Sequence, residues 1–240
     1  RWEDITWKDF EFTGRGVRGL VSANAARQLL AASDGRLRVI ATAWSPPAWM
    51  KVNNDMGNGH RERKNFGLNI ADPIEGTVWT QPQSGDAGGV RYQYVARNKL
   101  SPDLYQHFAK LLVEWVRYYR SLGIDLYAIS PTNEPVFSHW FESCVYTPDE
   151  YAKLVETIVW MFGNQGEPMP LLFGPEHMAG DTAKNRLYLE ALGRRPASLK
   201  AMAAIAAHGY VDGYVADRNS ESTTALKNLV TPYGKRIWVT

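Results

Sequence analysis

The stretch "AISPTNEPVF", residues 128 to 137, carries a run of apolar residues directly up to a carboxylate. Its apolar part, together with Leu126 and Tyr127, is typical of a short buried strand. Glu134 follows this strand, and Pro135 restricts the backbone immediately after the glutamate. The sequence therefore predicts a carboxylate held rigidly at the end of a buried strand. The other predicted elements of the chain indicate which fold contains that strand.

Predicted helices and short apolar strands alternate along the rest of the chain. The five predicted strands are 36–44, 126–130, 171–176, 204–210 and 236–239. The predicted helices are 22–33, 101–123, 147–162, 182–193 and 222–230. Short apolar strands that alternate with helices indicate an α/β fold with a parallel sheet buried on both faces.

The loops favour a closed barrel over an open doubly wound sheet. The carboxyl ends of the strands run into "WSPPAW", "SPTNEP", "FGPEH" and "HGY", whereas the loops at the other ends, such as "SDG", are short turns. In an eight-fold barrel the active site lies at the carboxyl ends of the strands. We therefore predict a (β/α)8 TIM-barrel type fold. Its 240 residues, 45% of them apolar, suit a single domain over 1–240, with a long insertion at 52–100.

Composition argues against several classes of protein. The formal net charge is +2, from 27 basic and 25 acidic residues, and no basic run suits a nucleic-acid binder. No stretch has the length of a membrane span, and residues 1–10 lack the apolar core of a signal peptide. Cys144 is the single cysteine, and the five histidines have no metal-ligand spacing. We therefore expect that the protein binds no nucleic acid, metal or cofactor and has no membrane-spanning segment.

A dinucleotide-binding oxidoreductase is the main rival interpretation. "GRGVRG" fits the Gly-x-Gly-x-x-Gly fingerprint and precedes a predicted helix. In that case Gly14, Gly16 and Gly19 would surround an anion site. However, the segment before them is not a clean apolar strand, and strand 36–44 ends in Ala-Trp where the fingerprint needs an acidic residue.

Carboxylate chemistry is the remaining interpretation. Cleavage of a glycosidic bond usually uses two carboxyl groups, one of which protonates the leaving oxygen. Glu134 suits that role, and we expect an apolar wall to raise its pKa and keep it protonated. The amide of Asn133 could bond a sugar hydroxyl. A structural glutamate at a turn, or a sugar-binding module without activity, would explain the same residues.

Several runs, in this order and spacing, resemble glycoside hydrolase family 30: "ATAWSPPAWMK" (41–51), "AISPTNEP" (128–135), "FESCVYTPDE" (141–150), "HGY" (208–210) and "RIWVT" (236–240). The resemblance spans roughly residues 20–240 and is poor over the insertion. It implies a retaining β-glycosidase on an eight-fold barrel with a flanking β-domain, of which this chain covers about strands 3 to 7.

The resemblance also implies roles for individual residues. Glu134 matches the acid/base, and the nucleophilic glutamate of the family would follow Thr240. We therefore expect the chain to be a fragment of a longer enzyme. On the same rim, the residues predicted to bind substrate are Asn133, Trp44, Trp49, His208, Tyr210 and Glu176, and Tyr210 would also bond the nucleophile.

The partner that the resemblance implies is a carbohydrate, either a xylan or glucuronoxylan or a β-glucan. Acidic and basic residues nearly balance in the insertion, so its charge supports an acidic sugar only weakly and leaves a neutral glucan equally allowed. We expect a secreted or periplasmic location.

Overall fold

The computed structural model describes residues 1–6, 16–57, 68–69, 97–139, 141–209 and 221–240. Five strands form one sheet: β1 Val39–Thr42, β3 Leu126–Ser130, β5 Leu171–Met178, β6 Met202–His208 and β7 Arg236–Val239. A second sheet pairs two short antiparallel strands, β2 Leu68–Asn69 and β4 Phe137–Ser138.

Six α-helices surround or connect these strands in the described residues. They are α1 Gly16–Ala32, α2 Tyr105–Ser121, α3 Pro148–Asn164, α4 Thr182–Gly193, α5 Pro196–Ala201 and α6 Glu221–Val230. Single 3-10 turns occur at Trp2–Asp4, Ala48–Met50, Pro102–Leu104 and Thr231–Tyr233.

The main sheet is parallel throughout, and its spatial order β1-β3-β5-β6-β7 follows the chain. In a doubly wound sheet the order reverses at a switch point, and these five strands show no reversal. The chain is therefore an α/β protein whose strands follow the order of a partial (β/α) barrel, as predicted. β1 and β7 are the edges of the sheet in the part of the chain that the structure describes.

Alternation along β6 separates the two faces of the sheet. Ile205 and Ala207 belong to the large core that the sheet forms with the helices. Ala204 and Ala206 point to the other face, because successive side chains of a strand alternate. There they join a small cluster with Ala128, Phe173 and Trp238. The concave face of the partial barrel is thus filled by small residues and by large rings from neighbouring strands.

Local signals account for most of the element boundaries. Thr147 caps α3 through a capping box: its hydroxyl accepts the Glu150 N–H, and the Glu150 carboxylate accepts the Thr147 N–H. Gly123 follows the end of α2 with φ of 78° and its N–H donates to the Arg120 carbonyl. Predicted strands 126–130 and 236–239 and predicted helix 182–193 agree with the structure in both bounds.

The predicted insertion leaves the barrel through a closed neck. Lys51 and Leu100 form an antiparallel bridge, and the Val52 N–H donates to the Lys99 carbonyl over 2.9 Å. The two ends of the 52–100 segment therefore lie side by side. Within it, β2 pairs with β4, so that part of the insertion contacts the chain just after Glu134.

Candidate active site

The parallel strands bring their carboxyl ends to one edge of the sheet. Thr42 ends β1, Glu134 follows β3, Glu176 lies near the end of β5, and His208 ends β6. The Thr240 N–H donates to the Ala207 carbonyl over 3.2 Å, so the residue after β7 is level with the end of β6. Residues from five successive strands therefore meet on one rim.

Glu134 is held between two histidines. Its Oε1 lies 2.9 Å from Nδ1 of His208, and its Oε2 lies 3.0 Å from Nε2 of His139. The glutamate is 9% exposed and has φ of 47°, a left-handed conformation that residues other than glycine rarely adopt. The backbone of Glu134 is thus strained, and each of its two carboxylate oxygens faces an imidazole.

Glu176 approaches the same imidazole of His208 from the other side. Its Oε1 lies 3.9 Å from Nε2 of His208 and accepts a hydrogen bond of 3.4 Å from the Thr42 hydroxyl. Glu176 is 3% exposed and also has positive φ, at 58°. His208 therefore has a carboxylate against each ring nitrogen.

These contacts reverse the pKa expected for Glu134. Its burial favours the neutral form, but the hydrogen bonds and charges of His139 and His208 outweigh burial and lower the pKa to about 2. Burial likewise opposes the charge on His208, yet Glu134 and Glu176 raise its pKa to about 9. The expectation of an apolar wall that keeps Glu134 protonated is wrong, because two imidazoles stand where that wall was expected.

His139 was not among the residues predicted from the sequence. It lies in a row of rings: its centroid is 5.6 Å from that of Phe137 and 4.4 Å from that of Phe141, and both pairs are stacked. The Trp44 ring follows at 6.0 Å from Phe141. A signal was present, since "VFSHWF" directly after Asn-Glu-Pro alternates aromatic residues around the histidine.

A polar network fixes the loop that carries His139. The buried ammonium of Lys51 donates to the carbonyls of Met56, Gly57 and Ser143 over 2.7 to 3.0 Å. The Ser143 hydroxyl in turn accepts the His139 N–H over 2.9 Å. Lys51 ends the "WSPPAWMK" run, so this run holds the loop beside Glu134.

The other predicted site residues are distributed unevenly. Asn133 is buried next to Glu134, and Trp44 is 46% exposed on the rim beside Phe141. Trp49 is 56% exposed in a 3-10 turn and contacts His107 of α2, with ring centroids 6.4 Å apart, not the Glu134 cluster. Tyr210 lies outside the described residues.

Other features of the described chain lie away from this rim. A surface pocket of about 450 Å³ between α2 and α3 includes Tyr105 and Trp160, and none of the predicted site residues lines it. Across the described ranges, no group of three or more His, Cys, Asp or Glu side chains is arranged to hold a metal ion. No helix among the described residues is long and apolar enough to cross a membrane.

Comparison with known proteins places the fold. No protein-family model matches the chain. An endo-1,6-β-D-glucanase from Aspergillus fumigatus is 27% identical over 125 residues, which are 51% of this chain and 20% of that protein. Two solved structures superpose with TM-scores of 0.61 at 21% identity. One is a family 30 subfamily 8 xylanase from Clostridium acetobutylicum, with 98% of this chain and 45% of that chain covered. The other is an endo-β1,6-glucanase, with 91% and 40% covered.

The chain spans about a fifth of the curated relative's length and less than half of either solved structure. In sequence and in fold, the chain is similar to part of the (β/α) barrel of glycoside hydrolase family 30, as its motifs imply.

Proposed function

We propose that the protein is a retaining β-glycoside hydrolase that acts on a polysaccharide or oligosaccharide, with Glu134 as acid/base. One observation carries this proposal: a buried carboxylate at a strand end, in a strained backbone, hydrogen-bonded by two histidines. Its barrel is of the kind found in family 30 xylanases and glucanases. The sequence relative supports hydrolysis over a dinucleotide-binding role, and Gly14 of that rival motif lies outside the described residues.

The mechanism that fits this site is double displacement. Glu134 protonates the glycosidic oxygen while a second carboxylate attacks the anomeric carbon, and Glu134 then takes a proton from the water that releases the sugar. From the family resemblance we expect the second carboxylate directly after Thr240. The Thr240 N–H is hydrogen-bonded to the carbonyl of Ala207, next to His208. A residue following Thr240 would therefore share the rim with Glu134. Retention requires the two carboxyl groups to lie about 5 Å apart.

Sugar contacts are assigned to the aromatic side chains of the rim. Trp44 extends the ring row of Phe141 and His139 outward to solvent, so it could stack on a sugar ring beside the cleavage point. We assign Asn133 to a sugar hydroxyl near Glu134 and Trp49 to a more distant sugar contact. Tyr210 stays a prediction, as the tyrosine that would bond the nucleophile. The relatives named for β-1,6-glucan and xylan support a neutral β-glucan or a xylan as substrate. A secreted or periplasmic location stays a prediction.

The test is Glu134→Gln in the full-length protein. The variant should lose a factor of about 10²–10⁴ in kcat on natural glycans, because general acid catalysis contributes that much. On aryl glycosides whose leaving groups need no proton it should lose far less in kcat/KM, which reports the first step, because Glu134 is needed there only as an acid. Glu190→Gln, an exposed glutamate of α4, is the matched control and should retain full activity. Equal losses in kcat/KM on both substrates would refute the acid/base role, and sugar binding without hydrolysis by the unsubstituted protein would favour a binding module.

A further inference from the structure

Two buried glutamates share an uncommon backbone conformation. Four non-glycine residues have positive φ in the described ranges: Asp34, Asn54, Glu134 and Glu176. Asp and Asn tolerate this region in turns, but a glutamate there costs on the order of 1–3 kcal/mol. Such strain persists only where the surrounding structure requires it. Glu134 has an assigned role, whereas Glu176 has no more than a predicted substrate contact.

A bulge in β5 places Glu176. The register against β6 pairs Pro175 with Ala206 and His177 with Ala207, and it shifts between these two pairs. Glu176 is the extra residue at that shift, and a bulge turns its side chain out of the regular alternation. As a result, the side chain enters the concave side towards His208, while His177 contacts Asp181 at the start of α4, with 3.2 Å between Nε2 and Oδ2.

The Glu176 carboxylate is too buried to be a simple substrate contact. One oxygen, Oε1, faces both Thr42 and His208, and the other has no hydrogen-bond partner among the described residues. A buried carboxylate is stable only when paired. The imidazole of His208 is the cation within reach, and its other nitrogen bonds Glu134.

We propose that Glu176 is a positioning residue: held by its bulge and by Thr42, it fixes the His208 imidazole and, through it, the Glu134 carboxylate and the proton that this pair shares. The proposal rests on the function proposed above, with Glu134 as acid/base. It gives Glu176 a role distinct from the predicted sugar contact.

The proton balance follows from the geometry. Glu134 and His208 together hold one proton over a wide pH range, mainly as carboxylate and imidazolium. When the Nδ1 proton moves to Oε1, Glu134 becomes the neutral acid and His208 the neutral imidazole. Glu134 then gives this proton to the leaving oxygen. Glu176 stabilises the imidazolium and therefore sets the pH above which the pair has no proton to give.

Other titratable groups surround the pair. From the loop after β4, His139 bonds the second oxygen of Glu134. His177 of β5 also interacts with the charge of Glu134, but burial lowers its pKa and favours its neutral form. Tyr151 of α3 faces Glu176, and burial, aided by the Glu176 charge, raises its pKa. Among these groups, Glu176 is the one that acts on His208 with a full charge opposite Glu134.

The first measurement is an imidazole ¹⁵N NMR titration of the full-length protein without substrate. Glu176→Gln keeps the shape of the side chain and removes its charge, so the midpoint of His208 should fall by about one to two pH units. Asp181→Asn is the matched control: it removes the carboxylate from His177 and should shift that histidine but not His208. Thr42→Val, which releases Glu176 from its hydroxyl, should give a smaller fall in the same direction and serves if Glu176→Gln fails to fold. An unchanged His208 midpoint in a folded variant would overturn the proposal.

The second measurement is the pH profile of kcat/KM, which reports groups of the free enzyme. Glu176→Gln should move the alkaline limb to lower pH by the same amount as the NMR midpoint. A purely structural role would lower the rate without moving that limb, and this result would also overturn the proposal. If the unsubstituted protein hydrolyses no glycan while the NMR midpoint still moves, the proposed function fails and the coupling of Glu176 to His208 holds.

Discussion

Glu134 has an imidazole nitrogen against each carboxylate oxygen, yet a general acid must direct one oxygen at the substrate. His208 is 5% exposed in its side chain and is held by Glu176, whereas His139 is 17% exposed on the loop after β4. We therefore expect His139, and not His208, to be the partner that gives way when a glycan binds. In this view the departure of His139 frees the Glu134 carboxyl group to turn, so that Oε1, which takes its proton from His208, reaches the glycosidic oxygen.

Replacement of His139 tests how strongly this histidine acts on the Glu134 carboxylate. His139→Ala removes one of the two hydrogen bonds that lower the pKa of Glu134, so this pKa should rise from about 2 towards the ordinary range of a glutamate. A ¹³C NMR titration of the Glu134 carboxyl carbon measures the change. His107→Ala, on α2 beside Trp49, is the control and should leave the titration unaltered. If the titration midpoint of Glu134 is unchanged in His139→Ala, the pKa of Glu134 is set by His208 alone.

Gly174 offers a second test at the residue scale. A Cβ built there would lie 2.5 Å from the buried hydroxyl of Tyr151, and φ is 143°. Gly174→Ala should therefore lower the free energy of unfolding by about 2 kcal/mol or more, because the added carbon has no space. In Gly163→Ala, at the end of α3, a Cβ meets nothing within 4 Å, so stability should be unchanged or higher. Urea unfolding compares the two, and equal stability would show that β5 can shift away from α3.

Residue-scale prediction from the sequence succeeded where the signal was local. The strand before Glu134 and the proline after it are adjacent in the chain, so the carboxylate could be placed on a rim from the sequence alone. The pKa of Glu134 could not be predicted from the sequence, because it depends on His208. That histidine is 74 residues away and contacts Glu134 only in the folded sheet. His139 is local, but nothing in the spacing showed that its ring would turn back to the carboxylate.

At the scale of elements, the loop after β4 depends on one buried cation. Lys51 is 3% exposed, and its ammonium joins the neck of the insertion to Ser143. Burial lowers its pKa to about 8. The three carbonyls that accept hydrogen bonds from its ammonium belong to two loops, so the lysine holds these loops together.

Lys51→Met should lower the free energy of unfolding by about 3 kcal/mol or more, because several buried carbonyls lose their donor at once. It should also reduce activity, since the loop that carries His139 loses its anchor. Lys99→Met is the matched control: this lysine is partly exposed, with Nζ 3.3 Å from a Glu150 oxygen, and should cost less than about 1 kcal/mol. Similar losses in both variants would mean that the buried carbonyls find other donors.

Elements whose limits are set by caps were predictable, and elements set by packing were not. Thr147 and Gly123 mark the ends of helices in the sequence itself. β5, in contrast, continues to Met178, beyond the predicted end, because its bulge lets the strand keep pairing with β6 past Pro175. The short helix α5 begins at Pro196, three residues after Gly193 ends α4, and was not predicted.

At the scale of the molecule, the order of strands follows from the alternation of elements, and the rim follows from the order of strands. The interior is less readable from the sequence. Phe173 and Trp238, with ring centroids 5.4 Å apart, occupy the concave face, whereas Leu172 joins the helix side. The apolar character of β5 on both faces hides this division, because a strand buried on both sides shows no alternation.

The pH dependence of stability joins the rim to the whole fold. The pKa of Glu134 falls from 4.5 to about 2 on folding, so its contribution is present above pH 4.5 and is lost as pH falls through 2. The pKa of His208 rises from 6.5 to about 9, so its contribution is complete below pH 6.5 and is lost as pH rises through 9. The two shifts share the Glu134–His208 ion pair, to which His139 adds on Glu134 and Glu176 adds on His208, and each shift is worth on the order of 3 kcal/mol.

The free energy of unfolding should therefore be highest between pH 4.5 and 6.5 and decline on both sides. Glu134→Gln should reduce the alkaline decline, because the His208 imidazolium then keeps only the charge of Glu176 as its partner. It should reduce the acid decline only in part, since Asp181 has a pKa that His177 and Lys184 lower despite burial. Urea unfolding at pH values of about 3, 5.5 and 9.5 measures these slopes. An alkaline decline that persists unchanged in Glu134→Gln would mean that another group, and not the pair at the rim, limits the stability of the fold at high pH.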